Sequence, residues 1–284
     1  MTPLPPWLKR RFRAPDELAT MTKLLRSLHL HTVCESAHCP NIGECFRRGT
    51  ATFLILGNIC TRNCGFCAVT TGVPEQPDRE EPKNVAGAAR QLKLQHVVVT
   101  SVTRDDLADG GAGHFSATVA AVRYSLPEST VEILTPDFQG NRKAIDLVVK
   151  SRPDIFNHNL ETVSTLYPRV RPQASYQRSL DLLKQVKDAA PKIITKSGFM
   201  LGLGENEEQT IALLHDIRQA GCDIVTIGQY LAPSVRHLPV VEYLPPERFA
   251  WYRAQALSLG FRGVASDPLV RSSYLADLFV NKEP

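Results

Sequence analysis

The chain has 284 residues, is 43% apolar and 22% charged, and carries a formal net charge of +4. Those values are ordinary for a globular protein and leave room for one large α/β domain or two small ones. No stretch approaches the ~18 apolar residues of a membrane span, and no basic stripe with interleaved aromatics suggests a grip on nucleic acid. The basic start lacks an apolar segment behind it and is broken by Pro3, Pro5 and Pro6, so the sequence reads as cytoplasmic. The mild positive charge favours, at most, an acidic protein partner.

Residues 1–50 precede any regular pattern and hold Cys34, Cys39 and Cys45. From residue 51, short apolar runs alternate with longer amphipathic ones. The pattern predicts strands over 51–56, 96–100, 130–134, 154–159, 192–200 and 223–229. Helices are predicted over 85–94, 115–124, 142–150, 176–189, 207–220 and 246–259. The strands are rich in Val, Ile, Phe and Thr, as buried parallel strands are. Pro246 suits a first helical turn, and Gly221 and Gly260 suit helix ends. Six successive β-α units predict an α/β fold with right-handed crossovers. Six strands are too few to close an eight-stranded barrel. The expectation is a partial (β/α)6 TIM-type barrel over 51–260, with extensions 1–50 and 261–284 capping its open mouth.

Chemistry in such folds sits at the C-terminal ends of the strands. The loops expected there are 60–67, 101–113, 159–161, 201–205 and 229–234. Six of the seven cysteines form two triplets, Cys34-x4-Cys39-x5-Cys45 and Cys60-x3-Cys64-x2-Cys67. Disulfides fit poorly with an odd count and no secretory segment. Structural zinc usually shows paired Cys-x2-Cys knuckles closed by four ligands, and each triplet lacks a nearby fourth thiol. His38 lies inside the first triplet but competes there with Cys34 and Cys39. An iron–sulfur cubane normally takes four thiolates. Three leave one iron open for a substrate, a cofactor or a non-cysteine ligand. For the first triplet that ligand is a Ser, a His such as His31 or His38, an Asp, or an outside molecule. Asp105, Asp106 and Asp109 read as a metal-binding run or as loop and cap residues. The run Leu201-Gly-Leu-Gly-Glu205 reads as a weak phosphate cradle. Cys222, just before an apolar strand, reads as a small buried hydrophobe.

Cys60-x3-Cys64-x2-Cys67, with Phe66 before its last cysteine, resembles the signature of radical S-adenosylmethionine enzymes. The first triplet, together with Arg271-Ser-Ser-Tyr-Leu-Ala276, is similar to the signature of the lipoyl synthase family. The likeness continues through 57–64, 103–112, 157–162, 169–172, 201–205 and 229–234. The resemblance implies two [4Fe–4S] clusters and S-adenosylmethionine. Cys60, Cys64 and Cys67 would hold the radical cluster, whose open iron binds the methionine end of the cofactor. Cys34, Cys39, Cys45 and Ser273 would hold an auxiliary cluster that gives up sulfur, with Ser272 expected to matter less. Phe66, Asn159, Glu161, Arg171, Lys196 and Gly202 are the implied cofactor contacts. The implied activity is insertion of two sulfur atoms, at C6 and C8, into a protein-bound N6-octanoyl-lysine. Implied partners are octanoylated lipoyl carrier domains (the 2-oxoacid dehydrogenase E2 subunit and the glycine cleavage H protein). Reduced flavodoxin or ferredoxin and cluster assembly or repair proteins complete the set. Two rivals stay open at this point: another radical sulfur transferase, acting on a biotin precursor or tRNA, and a two-cluster electron carrier without catalysis.

Overall fold

The computed structural model describes residues 4–9, 22–36, 39, 41–47, 52–274 and 276. Ala51 and His38 therefore lie outside the described residues. Seven parallel strands follow one another across a single sheet. They are β1 (Thr52–Ile55), β2 (His96–Ser101), β3 (Thr130–Leu134), β4 (Ile155–Asn157), β5 (Ile194–Leu201), β6 (Ile224–Gln229) and β7 (Gly263–Ser266). Six helices carry the chain between them: α1 (Glu81–Gln91), α2 (Ala112–Ser125), α3 (Arg142–Lys150), α4 (Tyr176–Ala189), α5 (Glu207–Gln219) and α6 (Pro246–Ser258). Strand order never reverses, which is the winding of a barrel rather than of a doubly wound sheet. The sheet ends at β7 on one side. On the other stands a two-residue strand, His31–Thr32, antiparallel to β1. The result is an open, partial barrel.

All six expected strands and helices are present. Two strands of the sheet were not foreseen. β7 pairs in parallel with β6, so the sheet runs past residue 260 into the expected C-terminal extension. His31–Thr32 brings the N-terminal extension onto the sheet edge. Helix α1 begins four residues before its first apolar residue, Val85, with Pro82 in its first turn and Glu81 turned inward and buried.

The helices bury faces at helical spacing, as Phe115, Val119 and Val122 do in α2 and Leu213, Leu214 and Ile217 do in α5. The strand side chains are buried throughout in β1 and β6 and at all but the end positions of β2. One ion pair is enclosed among them. Lys196 of β5 donates to both oxygens of Glu132 on β3, at 2.9 and 3.1 Å, and neither side chain is exposed. Asn157 of β4 donates to the same carboxylate at 3.2 Å. Burial alone would raise the pKa of Glu132; the charge of Lys196 and the nearby His96 ring, 3.5 Å away, pull it below the usual carboxylate range. Removing one partner of such a pair strands a buried charge, which costs about 3–5 kcal/mol. In urea unfolding of the metal-free protein, Glu132→Gln is therefore expected to lose about that much. The double variant with Lys196→Met is expected to recover most of it. Equal stability of Glu132→Gln and the parent would contradict the pairing.

Candidate active site: one cavity lined from both cysteine triplets

A cavity of about 490 Å³ opens at the C-terminal ends of the strands. Its wall includes Cys34 and Cys39 from the first triplet, Cys60, Cys64 and Cys67 from the second, and Ser273. The second triplet is placed by the loop after β1. The chain leaves β1 through Leu56, whose φ of 67° is unusual for a bulky side chain. Both backbone groups of Leu56 are held. Its N–H donates to Glu81 Oε2 at 2.7 Å, and its carbonyl accepts from Arg104 at 3.3 Å. Glu81 is fixed in turn by His114, 2.6 Å away. Beyond the turn, Thr61 donates twice to the Thr103 carbonyl, from N–H and hydroxyl, at 3.0 Å each. The N–H groups of Arg62 and Thr103 point at Cys60 Sγ, at 3.4 and 3.3 Å.

Arg62, between Cys60 and Cys64, ties three strand ends together. Its guanidinium makes two bonds to Asp105, at 2.6 and 2.9 Å, and one to Asp137, at 2.6 Å. Asp137 also accepts from Arg178 and from the Gln139 N–H, each at 3.1 Å. Burial would lower the pKa of Arg62, but the two carboxylates hold it charged and raise it. Burial would raise Asp137, and Arg62 instead holds it well below the carboxylate range. The three aspartates after β2 are thereby accounted for. Asp105 pairs with Arg62, Asp106 pairs with Arg104, and Asp109 accepts the N–H groups of Gly111 and Gly113 at the start of α2. They are loop and cap residues rather than a ligand set.

The opposite wall comes from β4 and the segments beyond it. Phe66 packs beside Val170, Leu203 and Tyr230. Asn159 donates to Glu161 Oε1 at 3.0 Å. Arg171 donates to the carbonyls of Asn159 and Leu160 and to the Tyr167 hydroxyl. Burial raises the pKa of Glu161, and the nearby Arg171 opposes the shift. Glu161 also holds φ at 68°, a strained value. His237 pins the second triplet from the loop after β6, with Nε2 at 3.0 Å from the Cys67 carbonyl and Nδ1 at 2.9 Å from Ser234 Oγ. The carbonyl makes Nε2 the protonated nitrogen of that ring.

The first triplet is held by residues 33–36, 39 and 41–45. The Cys39 N–H donates to the Cys34 carbonyl and the Cys45 N–H to the Asn41 carbonyl, both at 3.0 Å. Cys45 lies outside the cavity wall yet close enough to Cys34 for its charge to act on that thiol. The C-terminal segment reaches the same place. Asn41 Nδ2 donates to the Leu269 carbonyl at 2.8 Å, and the Tyr274 hydroxyl donates to Glu44 at 2.8 Å. Gly228 lets this segment approach β6: a Cβ there would stand 2.2 Å from the Val270 carbonyl oxygen.

The wall fits clusters and a polar cofactor. Burial pushes the Cys34 thiol up to about 12, and Cys39 and Cys45 add repulsion. Burial likewise pushes Cys67 up to about 12 and raises Cys64, with neighbouring thiols of the triplet adding to both. Thiols so enclosed ionise only beside a strong local cation, which iron supplies. Among the described residues no three His, Cys, Asp or Glu side chains converge as one metal ion would require. A cubane asks for something else, because each thiolate binds its own iron. Among the buried polar atoms of cavity-lining residues that have no hydrogen-bond partner are Asn159 Oδ1 and Arg171 Nε, alongside the Ser101 and Thr135 hydroxyls. Asn159 Oδ1 and Arg171 Nε offer an acceptor and a donor to a ligand.

Four of the six expected cofactor contacts, Phe66, Asn159, Glu161 and Arg171, line the cavity; Lys196 and Gly202 do not. Lys196 is committed to Glu132 inside the barrel. Gly202 shapes a backbone turn, with φ at 97° and its N–H bonded to Glu205. The Leu203 N–H also goes to Glu205, so this loop closes on its own carboxylate rather than on a phosphate. Sequence reasoning passed over Arg271 and Ser272 as site residues, although both line the cavity, and over His237. Their positions in the Arg-Ser-Ser-Tyr run and in the loop after β6 were the available signal.

The strand winding and the cysteine loop define a class, and the comparisons agree with it. The family model for the radical SAM superfamily matches residues 54–217. Solved structures share the fold at low identity. SuiB of Streptococcus suis bound to S-adenosylmethionine superposes with a TM-score of 0.60 at 14% identity, over 87% of this chain and 59% of that one. Methylornithine synthase (PylB) gives a TM-score of 0.54 at 15% identity, over 96% and 86%. Much nearer in sequence are the lipoyl synthases of Caldanaerobacter subterraneus subsp. tengcongensis, 58% identical over 96% of both chains, and of Rubrobacter xylanophilus, 55% identical over 96% of this chain and 85% of that one. The chain belongs to the lipoyl synthase family of the radical SAM superfamily, and it is a sulfur-transferring enzyme. No helix among the described residues is long and apolar enough to cross a membrane.

Gly228→Ala tests how closely the C-terminal segment must sit. The added methyl has no room beside Val270, so the segment carrying Ser273 is expected to shift. After anaerobic reconstitution, iron content per chain is expected to fall clearly below that of the parent. Full iron loading in this variant would contradict the placement.

Proposed function

We propose that this protein inserts two sulfur atoms, at C6 and C8, into an octanoyl chain held in amide linkage on a lysine of a carrier domain, giving lipoyl-lysine. The observation that supports this best is that the second cysteine triplet, two cysteines of the first, Cys34 and Cys39, and Ser273 line one cavity, with Cys45 just outside it. Cys60, Cys64 and Cys67 would hold one [4Fe–4S] cluster, and Phe66, Asn159, Glu161 and Arg171 would hold S-adenosylmethionine. Once reduced, that pair supplies an oxidant able to take hydrogen from an unactivated carbon.

The chain's own residues bind, orient and exclude. Asn159 Oδ1 and Arg171 Nε give the cofactor's polar groups their buried partners. Leu54, Val69, Leu134, Phe199 and Leu231 give the wall apolar surface that suits an acyl chain and keeps water out. Arg62, through Asp105 and Asp137, keeps the cysteine loop from moving as the substrate enters. The sulfur substrate is a second cubane on Cys34, Cys39, Cys45 and Ser273. Serine oxygen matches this softer chemistry less well than thiolate does, so its bond is the easier one to lose. The carriers are the 2-oxoacid dehydrogenase E2 subunit and the glycine cleavage H protein. The electron donor is a reduced flavodoxin or ferredoxin, repair proteins rebuild the spent cluster, and the setting is cytoplasmic. A simple electron carrier needs no substrate-sized cavity between its clusters.

The test is anaerobic reaction with an octanoyl-lysine peptide. Cys60→Ala is expected to form no 5′-deoxyadenosine. Cys39→Ala is expected to form it while inserting no sulfur. Full lipoyl product from Cys39→Ala would remove the first triplet from the sulfur role, and cofactor cleavage by both variants would misplace the radical site.

A second outcome follows from the same assignment. Without a repair system the purified protein is expected to give at most about one lipoyl group per chain, losing iron as it does, because one auxiliary cubane serves one product. Reconstitution with heavy-isotope sulfide is expected to label both sulfurs. Sustained turnover on unlabelled sulfide without loss of iron would overturn the sacrificial role.

A further inference from the structure

Ser272 and Ser273 are neighbours in sequence, and both line the cavity. The segment that carries them is fastened on the auxiliary side through Asn41 to the Leu269 carbonyl and through Tyr274 to Glu44. On the other side Ser272 Oγ accepts a hydrogen bond from Asn159 Nδ2 at 3.3 Å. The other hydrogen of that amide goes to Glu161 Oε1 at 3.0 Å. Both donors of Asn159 are thus committed, and its one acceptor, the buried Oδ1, is without a partner. An amide has two faces of opposite chemistry. A ligand hydroxyl or ammonium that donates to Oδ1 fixes the amide plane, and a fixed plane keeps Nδ2 on Ser272.

We propose that Asn159 couples the two halves of the site: a cofactor donor bound at its Oδ1 strengthens its hold on Ser272, and so sets the position of Ser273 one residue away. The inference rests on the reading of Asn159 as a cofactor contact. It gives Ser272, expected from the sequence to matter less, the part of a positioning residue. Coupling of this kind is reciprocal, so whatever loosens Ser272 weakens cofactor binding by the same factor.

The test uses the full chain with both clusters loaded and oxidised, so that S-adenosylmethionine binds without being cleaved. Affinity is measured by equilibrium dialysis, and hydrogen exchange is followed at the Val270 and Tyr274 amides, which bond to the Asp267 and Arg271 carbonyls. In the parent, S-adenosylmethionine is expected to slow exchange at both. Ser272→Ala is expected to bind it about three- to tenfold more weakly, the effect of one lost hydrogen bond, and to lose that added protection. Ser272→Thr keeps the hydroxyl and is expected to behave as the parent does. Asn159→Ala is expected to weaken binding at least as much. If Asn159→Ala weakens binding but Ser272→Ala matches the parent in affinity and protection, the coupling is wrong and the cofactor site stands. If Asn159→Ala binds as the parent does, the cofactor reading fails and the inference with it. If Ser272→Thr loses its clusters or its protection along with Ser272→Ala, Ser272 serves packing alone and the proposal is overturned.

Discussion

Five thiols share the wall of one buried cavity, and a sixth, that of Cys45, acts on it from just outside. Three of them, Cys34, Cys64 and Cys67, resist ionisation, because burial disfavours charge and neighbouring thiolates repel it. Iron relieves both penalties at once. The rest of the structure reads as the means of holding the two triplets where that relief applies. Three strand ends are tied through Arg62 to Asp105 and Asp137, and the β1 exit is held in an uncommon backbone shape by Glu81 and Arg104. Buried ion pairs seldom add much net stability. Here the pairs cost little flexibility that the site needs and fix the loop that carries Cys60 and Cys64.

The second dependence is on the chain's far end. The segment after β7 lies against Gly228, is caught by Asn41 and Tyr274, and lines the cavity with Arg271, Ser272 and Ser273. Arg271 is half-buried where the charges of both Cys39 and Glu161 reach it. The barrel alone therefore supplies Cys60, Cys64 and Cys67, while the part of the cavity around the first triplet is assembled from residues more than 200 positions apart, such as Asn41 and Leu269. A site built this way is complete only when both ends of the chain are docked.

What the sequence made legible was local. Cysteine spacing is a property of a few adjacent residues, so both triplets could be read directly. The six β-α units were legible because buried parallel strands are continuous apolar runs and the helices repeat at their own period. β7 escaped because Gly-Val-Ala-Ser is short and has no such run, and becomes a strand only by pairing with β6. Lys196 was misjudged for a related reason. A lysine in an apolar strand looks functional, but its partner, Glu132, lies 64 residues earlier and meets it only inside the barrel. Ser272, His237 and Arg62 owe their roles to contacts across the fold that no spacing encodes.

The central claim is that the two triplets hold two clusters facing one cavity, near enough to act on a single acyl chain between them. The most direct measurement is electron paramagnetic resonance of the anaerobically reconstituted, fully reduced protein, compared with Cys39→Ala and Cys60→Ala, which each retain one cluster. The account predicts that the parent spectrum is broadened by interaction between two nearby spins and cannot be built by adding the spectra of the two variants. A parent spectrum equal to that simple sum would place the clusters too far apart and contradict the account.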